Sequence, residues 1–274
     1  MKKLVLALGF FALFAIGFSS CSGDKKSKES DGTATSFNRN IRFESYAYDR
    51  IAELSDSDAI DAPGAKYVRI TAEGVLPADL GESSIKHLRD SLMHLSGVKF
   101  TDDIPEPDLP AGFNLTDLQA DTTDACGYVA VTQSASLVST RVVCFQVNTE
   151  SYACQAAHGN QTVRYINFNV ERGEIISLAS LFKPGYQLKL TEMLRNEIRR
   201  REIPISVAPT EIGIPEAFAI TPEGLSFSYD PYDITPYSEG IVTIDIKMGD
   251  LIQAGILSDR GLYIITGNTP SPGS

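Results

Sequence analysis

Apolar and polar positions alternate along much of this chain. Leu225, Phe227 and Tyr229 are separated by Ser226 and Ser228, and Val242, Ile244, Ile246 and Met248 by Thr243, Asp245 and Lys247. A period of two predicts two strands, each with one face buried and one face wet. Strand-like text also covers Ile41–Tyr48 and Tyr67–Thr71. Four further strands at meander spacing are expected over Tyr128–Thr132, Val138–Val147, Tyr152–Ala157 and Val163–Val170, then a tight turn at Glu171–Glu174 and a short strand Ile175–Ser177. Two segments switch to a helical period. Ile85, Leu88, Leu92 and Leu95 recur at steps of 3, 4 and 3, which places them on one face of a helix over Ser83–Leu95. Ser83 or Ser84 caps it and Gly97 ends it. Leu190, Met193, Leu194 and Ile198 share a face within Tyr186–Arg201, where Arg199, Arg200 and Arg201 suit the negative end of the dipole. Pro105–Pro110 fits neither period and reads as a loop. The sum is an α+β fold, a mainly antiparallel sheet covered by a few helices.

The first residues have a different texture. Met1-Lys2-Lys3 is followed by an uncharged apolar run from Leu4 to Phe18, shorter than the roughly 20 residues of a spanning helix. Ser19, Ser20 and Cys21 come next, an order that predicts an export signal over 1–20 and lipidation of Cys21 as the mature N-terminus. Residues 21–37 read as the lipidated cysteine and a flexible polar tether, 38–115 and 116–267 as N-terminal and C-terminal α+β parts, and 268–274 as a disordered tail. The expected location is a membrane-anchored lipoprotein of the bacterial cell envelope, on its periplasmic or surface face.

Composition narrows the partners. The net charge of the 274-residue chain is −11, which argues against nucleic acid and favours a basic partner. Besides Cys21 there are Cys126, Cys144 and Cys154, an odd number for an oxidising compartment. Asn148–Ser151 reads as a turn between the strands carrying Cys144 and Cys154. Centred on Thr149, that turn sets the two cysteines opposite each other for a disulfide; a slip of one residue sends them to opposite faces and forbids it. Metal ligation and cofactors are not expected, since no CxxC or His/Cys cluster occurs.

Catalytic motifs are equally sparse. The three histidines are His87, His94 and His158. The first two stand seven apart on one helix, about 10.5 Å along its axis, too far for joint chelation. His158 occupies the turn Ala157-His158-Gly159-Asn160, where an imidazole can be structural, bind a ligand or act as a base. Gly224-Leu225-Ser226-Phe227-Ser228 lacks the second glycine of a nucleophile elbow. Asp102-Asp103 are adjacent carboxylates without a partner across a cleft. No catalytic residue is assigned. The most unusual text is Tyr229-Asp230-Pro231-Tyr232-Asp233-Ile234-Thr235-Pro236-Tyr237, with three tyrosines, two prolines and two aspartates in nine residues. A stiff, aromatic and acidic loop is a good anchor for a partner or glycan, and equally a device for packing the loop onto the sheet.

Several short motifs, in order, resemble the domain-of-unknown-function family 3298. They are His158-Gly159-Asn160, Asn167-Phe168 to Gly173, Ser177-Leu178-Ala179-Ser180-Leu181-Phe182, Phe218-Ala219-Ile220-Thr221, Gly224-Leu225-Ser226-Phe227, Tyr232-Asp233-Ile234-Thr235-Pro236-Tyr237 and Gly240. The resemblance covers about Tyr152 to Leu257, and Ile41–Val98 resembles the companion domain that often precedes it. That family includes the extracellular part of the lysozyme-sensing anti-sigma factor RsiV and a domain attached to the peptidoglycan deacetylase PdaC. The resemblance therefore implies an α/β cell-envelope module, without the spanning helix of the former or the HxxxH catalytic segment of the latter.

Together these readings predict a non-enzymatic lipid-anchored envelope protein that binds a lysozyme-like protein or a cell-wall ligand. Its contact residues are expected to be His158, Asn160, Tyr229, Asp230, Tyr232, Asp233 and Tyr237. The alternative is an envelope hydrolase acting on peptidoglycan or another glycan, with His158 as base. A deep polar cleft around His158 speaks for the enzyme and an exposed aromatic surface for the binder.

Overall fold

The computed structural model describes residues 43–54, 67–77, 87–88, 90–92, 98–101, 104–107, 113–114, 125–153 and 156–267. The signal, Cys21, the tether, His94, Asp102, Asp103, Cys154 and residues 268–274 lie outside them. Twelve strands form three sheets among the described residues. β1 (Phe43–Leu54), β2 (Tyr67–Pro77), β5 (Phe113–Asn114), β6 (Ala125–Val138), β7 (Val142–Ala153), β8 (Asn160–Asn169) and β9 (Glu174–Ile175) make a seven-stranded sheet in the order β5-β1-β2-β6-β7-β8-β9. All its pairs are antiparallel except β2 with β6. Strands on both sides of residue 115, where the sequence suggests a boundary, are hydrogen-bonded in this sheet. β3 (Val98–Thr101) pairs with β4 (Ile104–Pro107), and β10 (Ala217–Thr221), β11 (Gly224–Tyr229) and β12 (Val242–Lys247) form an antiparallel three-stranded sheet.

Helix α1 is seen at residues 87–88 and 90–92. It is followed by α2 (Leu178–Leu181), α3 (Tyr186–Arg200), α4 (Met248–Ala254) and α5 (Asp259–Thr266). The fold is α+β, as the periodicity predicts. Leu88 and Leu92, both fully buried, pack α1 with Val143, Phe145 and Val147 of β7 and Ile166 and Phe168 of β8. Burial of each such side chain stabilises by about 1.5–3 kcal/mol. A second core joins Leu190, Leu194 and Ile198 of α3 to Phe227, Ile244 and Ile246 of the three-stranded sheet and to Leu251 and Ile264 of α4 and α5.

Four details differ from the pattern read along the sequence. The four meander strands are three, because Tyr152 lies within β7 rather than opening a strand of its own. Asn148–Ser151 is therefore strand, paired residue by residue with Asn160–Val163. Polar residues there face water from a sheet instead of marking a turn. The disulfide that depended on that turn is not formed: Cys144 is a free, buried thiol paired across the ladder with Asn167. Pro105 and Pro107 sit in β4, opposite Phe100 and Val98. A strand tolerates prolines at alternate positions when their nitrogens face an unpaired edge, which a two-stranded ribbon supplies. Finally, β11 is buried on both faces, with Leu225 and Phe227 in the core and Ser228 against Tyr165 of β8, whereas β12 shows the expected alternation. The serines of β11 are satisfied internally: Ser228 Oγ lies 3.2 Å from the Tyr165 hydroxyl and 3.0 Å from Thr243 Oγ1, and Ser226 donates to the Asp245 carboxylate.

Candidate ligand-binding site

The turn before β8 and the loop after β11 are brought together by the sheets that carry them. β8 and β10 pack against each other, and one buried side chain aligns them. Asn167, 1% exposed, donates from Nδ2 to the Phe218 carbonyl at 2.8 Å and accepts from the Ile220 N–H at Oδ1 at 2.7 Å. Its amide completes the edge of β10 as a further strand would. At the other end of β8, Asp230 does the same for that strand's edge. Its Oδ1 accepts from the Val163 N–H at 3.1 Å, and its Oδ2 accepts from Arg164 Nη1 at 2.6 Å. Asp233 then turns the loop back, its carboxylate accepting from the Asp230 N–H at 2.9 Å.

With the loop held there, three rings converge. His158 and Tyr237 stack with centroids 4.0 Å apart and planes 27° from parallel; Tyr232 lies 5.6 Å from Tyr237 and 6.0 Å from His158. The Tyr232 hydroxyl is 3.0 Å from His158 Nε2, and His158 Nδ1 is 2.9 Å from the Gly159 carbonyl. A carbonyl only accepts, so Nδ1 carries the proton. In the neutral ring Nε2 is then the acceptor, and Tyr232 donates to it. Tyr232 is 60% exposed and its backbone has φ +74°, a left-handed conformation that a bulky residue adopts only under constraint from its surroundings. The result is an exposed aromatic surface on a constrained loop.

Of the residues anticipated for contact, His158, Tyr232 and Tyr237 form the cluster, Asp230 and Asp233 build its support, and Asn160 is exposed at the start of β8 opposite Ser151. Tyr229 does not belong to it. Its side chain faces the core, 3% exposed, and donates to the Gly213 carbonyl at 2.7 Å; burial pushes its phenol well above the ordinary range. The alternation of β11 put Tyr229 on the apolar face with Leu225 and Phe227, which is the signal that separates it from Tyr232. Arg164, Asn167 and Val163 carry no local signal of their role, since their partners lie 51 or more residues away.

Two concavities lie elsewhere. One of about 660 Å³ runs between α3 and Thr210–Gly213; another of about 500 Å³ is lined by Tyr165, Tyr186, Ile214 and Phe218, and neither includes His158. Among the described residues no group of three or more His, Cys, Asp or Glu side chains is placed to hold a metal ion, and no helix is long and apolar enough to cross a membrane.

Comparison with known proteins agrees with this architecture. Two crystal structures share it. One is of a DUF3298 family member from Bacteroides fragilis, with a TM-score of 0.55 at 16% identity, over 84% of this chain and 98% of that one. The other is of a DUF3298 family protein from Pseudomonas aeruginosa, with a TM-score of 0.55 at 15% identity, over 81% and 97%. No curated protein matches. Residues 179–248, from α2 through the aromatic loop to the start of α4, match the family described as "Protein of unknown function (DUF3298)".

Proposed function

We propose that this protein is a lipid-anchored component of the bacterial cell envelope that captures a basic protein, of lysozyme-like character, or a cell-wall ligand, without catalysing its conversion. The observation that carries this reading is the convergence of His158, Tyr232 and Tyr237 on one exposed surface. Such rings offer apolar area with polar tips, and the constrained loop loses little entropy when engaged. A net charge of −11 favours encounter with a basic partner. The apolar run Leu4–Phe18 ahead of Cys21 supports export and lipidation. A triad-type hydrolase with His158 as base keeps Nε2 open to a nucleophile and a carboxylate behind Nδ1; here Nε2 meets a tyrosine hydroxyl and Nδ1 a backbone carbonyl.

The test is direct binding of a purified basic muramidase and of soluble peptidoglycan fragments to the wild-type protein and to Tyr232→Ala. Binding of either ligand that weakens in the variant supports the reading. Binding of neither, or equal binding by a well-folded variant, overturns it, and turnover of the fragments supports the hydrolase instead.

A further inference from the structure

We propose that the open face of the seven-stranded sheet over β6 and β7 is a second recognition surface, which binds an extended, uncharged glycan chain. It lies at the same end of the sheet as the His158 turn but uses different residues. Tyr128 and Tyr152 are directly opposed on β6 and β7, with rings 6.3 Å apart and 22° from parallel. That separation is too wide for face-to-face closure, and Tyr128 is 42% exposed, so ring surface stays open to solvent. The Tyr152 hydroxyl is tied to the Ala156 carbonyl at 3.1 Å, which fixes its ring.

Further along the same face the register opposes Thr132 to Asn148, and Gln146 follows two residues from Asn148 on β7. Gln146 Nε2 donates to Asn148 Oδ1 at 2.9 Å, and Asn148 Nδ2 approaches Thr132 Oγ1 at 3.4 Å. These contacts orient the ladder and leave capacity over: Gln146 Oε1, one N–H on each amide, and the Thr132 hydroxyl proton. Neighbouring donors and acceptors of neutral charge are what a chain of vicinal hydroxyls requires, and an open aromatic ring beside them supplies the apolar face on which a pyranose packs. From Tyr128 to Ser134 the strip spans about 20 Å at the usual strand rise, room for several sugars in a row. Glu150, exposed on the same face, disfavours a polyanion.

The experiment is titration of the full chain with chitohexaose, an uncharged β-1,4-linked oligosaccharide, comparing wild type with Tyr128→Ala, Asn148→Ala and Tyr232→Ala. Expected are saturable binding by wild type, a loss of about tenfold or more in Tyr128→Ala and a smaller loss in Asn148→Ala. Both sheet positions are at the surface, and a melting curve confirms that each variant folds. Absence of binding by wild type overturns the proposal, as does undiminished binding in both sheet variants. Loss confined to Tyr232→Ala also overturns it, because it moves the ligand to the loop. If Tyr128→Ala instead loses a basic muramidase while chitohexaose never binds, the face is a protein contact and the glycan assignment is wrong.

Discussion

Tyr232 donates its hydroxyl proton to Nε2 of His158 across 3.0 Å, joining residues 74 apart in sequence. The contact places an exposed ring over a turn whose own imidazole is stacked on Tyr237. It is formed although Tyr232 sits at φ +74°, a conformation that costs a non-glycine residue about 1–3 kcal/mol.

The two roles of Tyr232 separate on two variants. Tyr232→Gly relieves the backbone and removes the ring, so stability is expected to hold or rise while capture weakens by about 1–3 kcal/mol. Tyr232→Ala keeps the strain and shows the same loss of binding with little change in melting temperature. Melting curves and titrations on both variants check this; a large fall in melting temperature with unchanged affinity assigns Tyr232 to packing alone.

Asn167 is expected to be the most sensitive polar residue of the junction between sheets. Asn167→Ala leaves the Phe218 carbonyl and the Ile220 N–H buried without partners, at about 1–3 kcal/mol each, so urea denaturation should show a loss of about 2–6 kcal/mol. A loss below 1 kcal/mol shows that water or another group replaces the amide.

Cys144 links stability to alkaline pH. Burial raises its thiol from the ordinary value of about 9 to about 11, against a smaller opposing effect of the Ser136 hydrogen bond. Between these values the unfolded chain has released the proton and the folded chain still holds it. Stability therefore falls as pH rises from 9 to 11, by about 2–3 kcal/mol in total. Cys144→Ala should flatten that part of the pH profile measured by denaturation; an unchanged slope assigns it to buried phenols such as Tyr229, which burial also raises. With the other cysteines replaced by serine, a thiol reagent should reach Cys144 only on unfolding.

Gly261 is expected to be irreplaceable for a steric reason. A Cβ added there would lie 1.9 Å from the Leu181 carbonyl oxygen, which also accepts from the Ser258 N–H. Gly261→Ala must push α5 away from α2 and should cost about 2–4 kcal/mol by thermal or chemical denaturation. Wild-type stability in this variant implies that the two helices are loosely docked.

Elements with an internal period were legible in the sequence. Leu190, Met193, Leu194 and Ile198 of α3, the stripe of α1 and the alternation of β12 declare themselves within a dozen residues, because burial acts on spacing along one element. The stiffness and composition of the loop 229–237 were legible for the same reason, and so was its likeness to DUF3298. The sequence did not separate the polar text of Asn148–Ser151 from a turn, since a strand facing water on one side carries turn-like residues wherever its neighbours supply the hydrogen bonds. It could not show that β2 runs parallel beside β6, that Asn167 completes the edge of β10, or that Asp230 closes the edge of β8. Nor could it show that His158 meets Tyr232 and Tyr237. Each of these joins groups distant along the chain, and no local spacing encodes them. Register across strands decides which side chains meet, and register exists only once the sheets have formed.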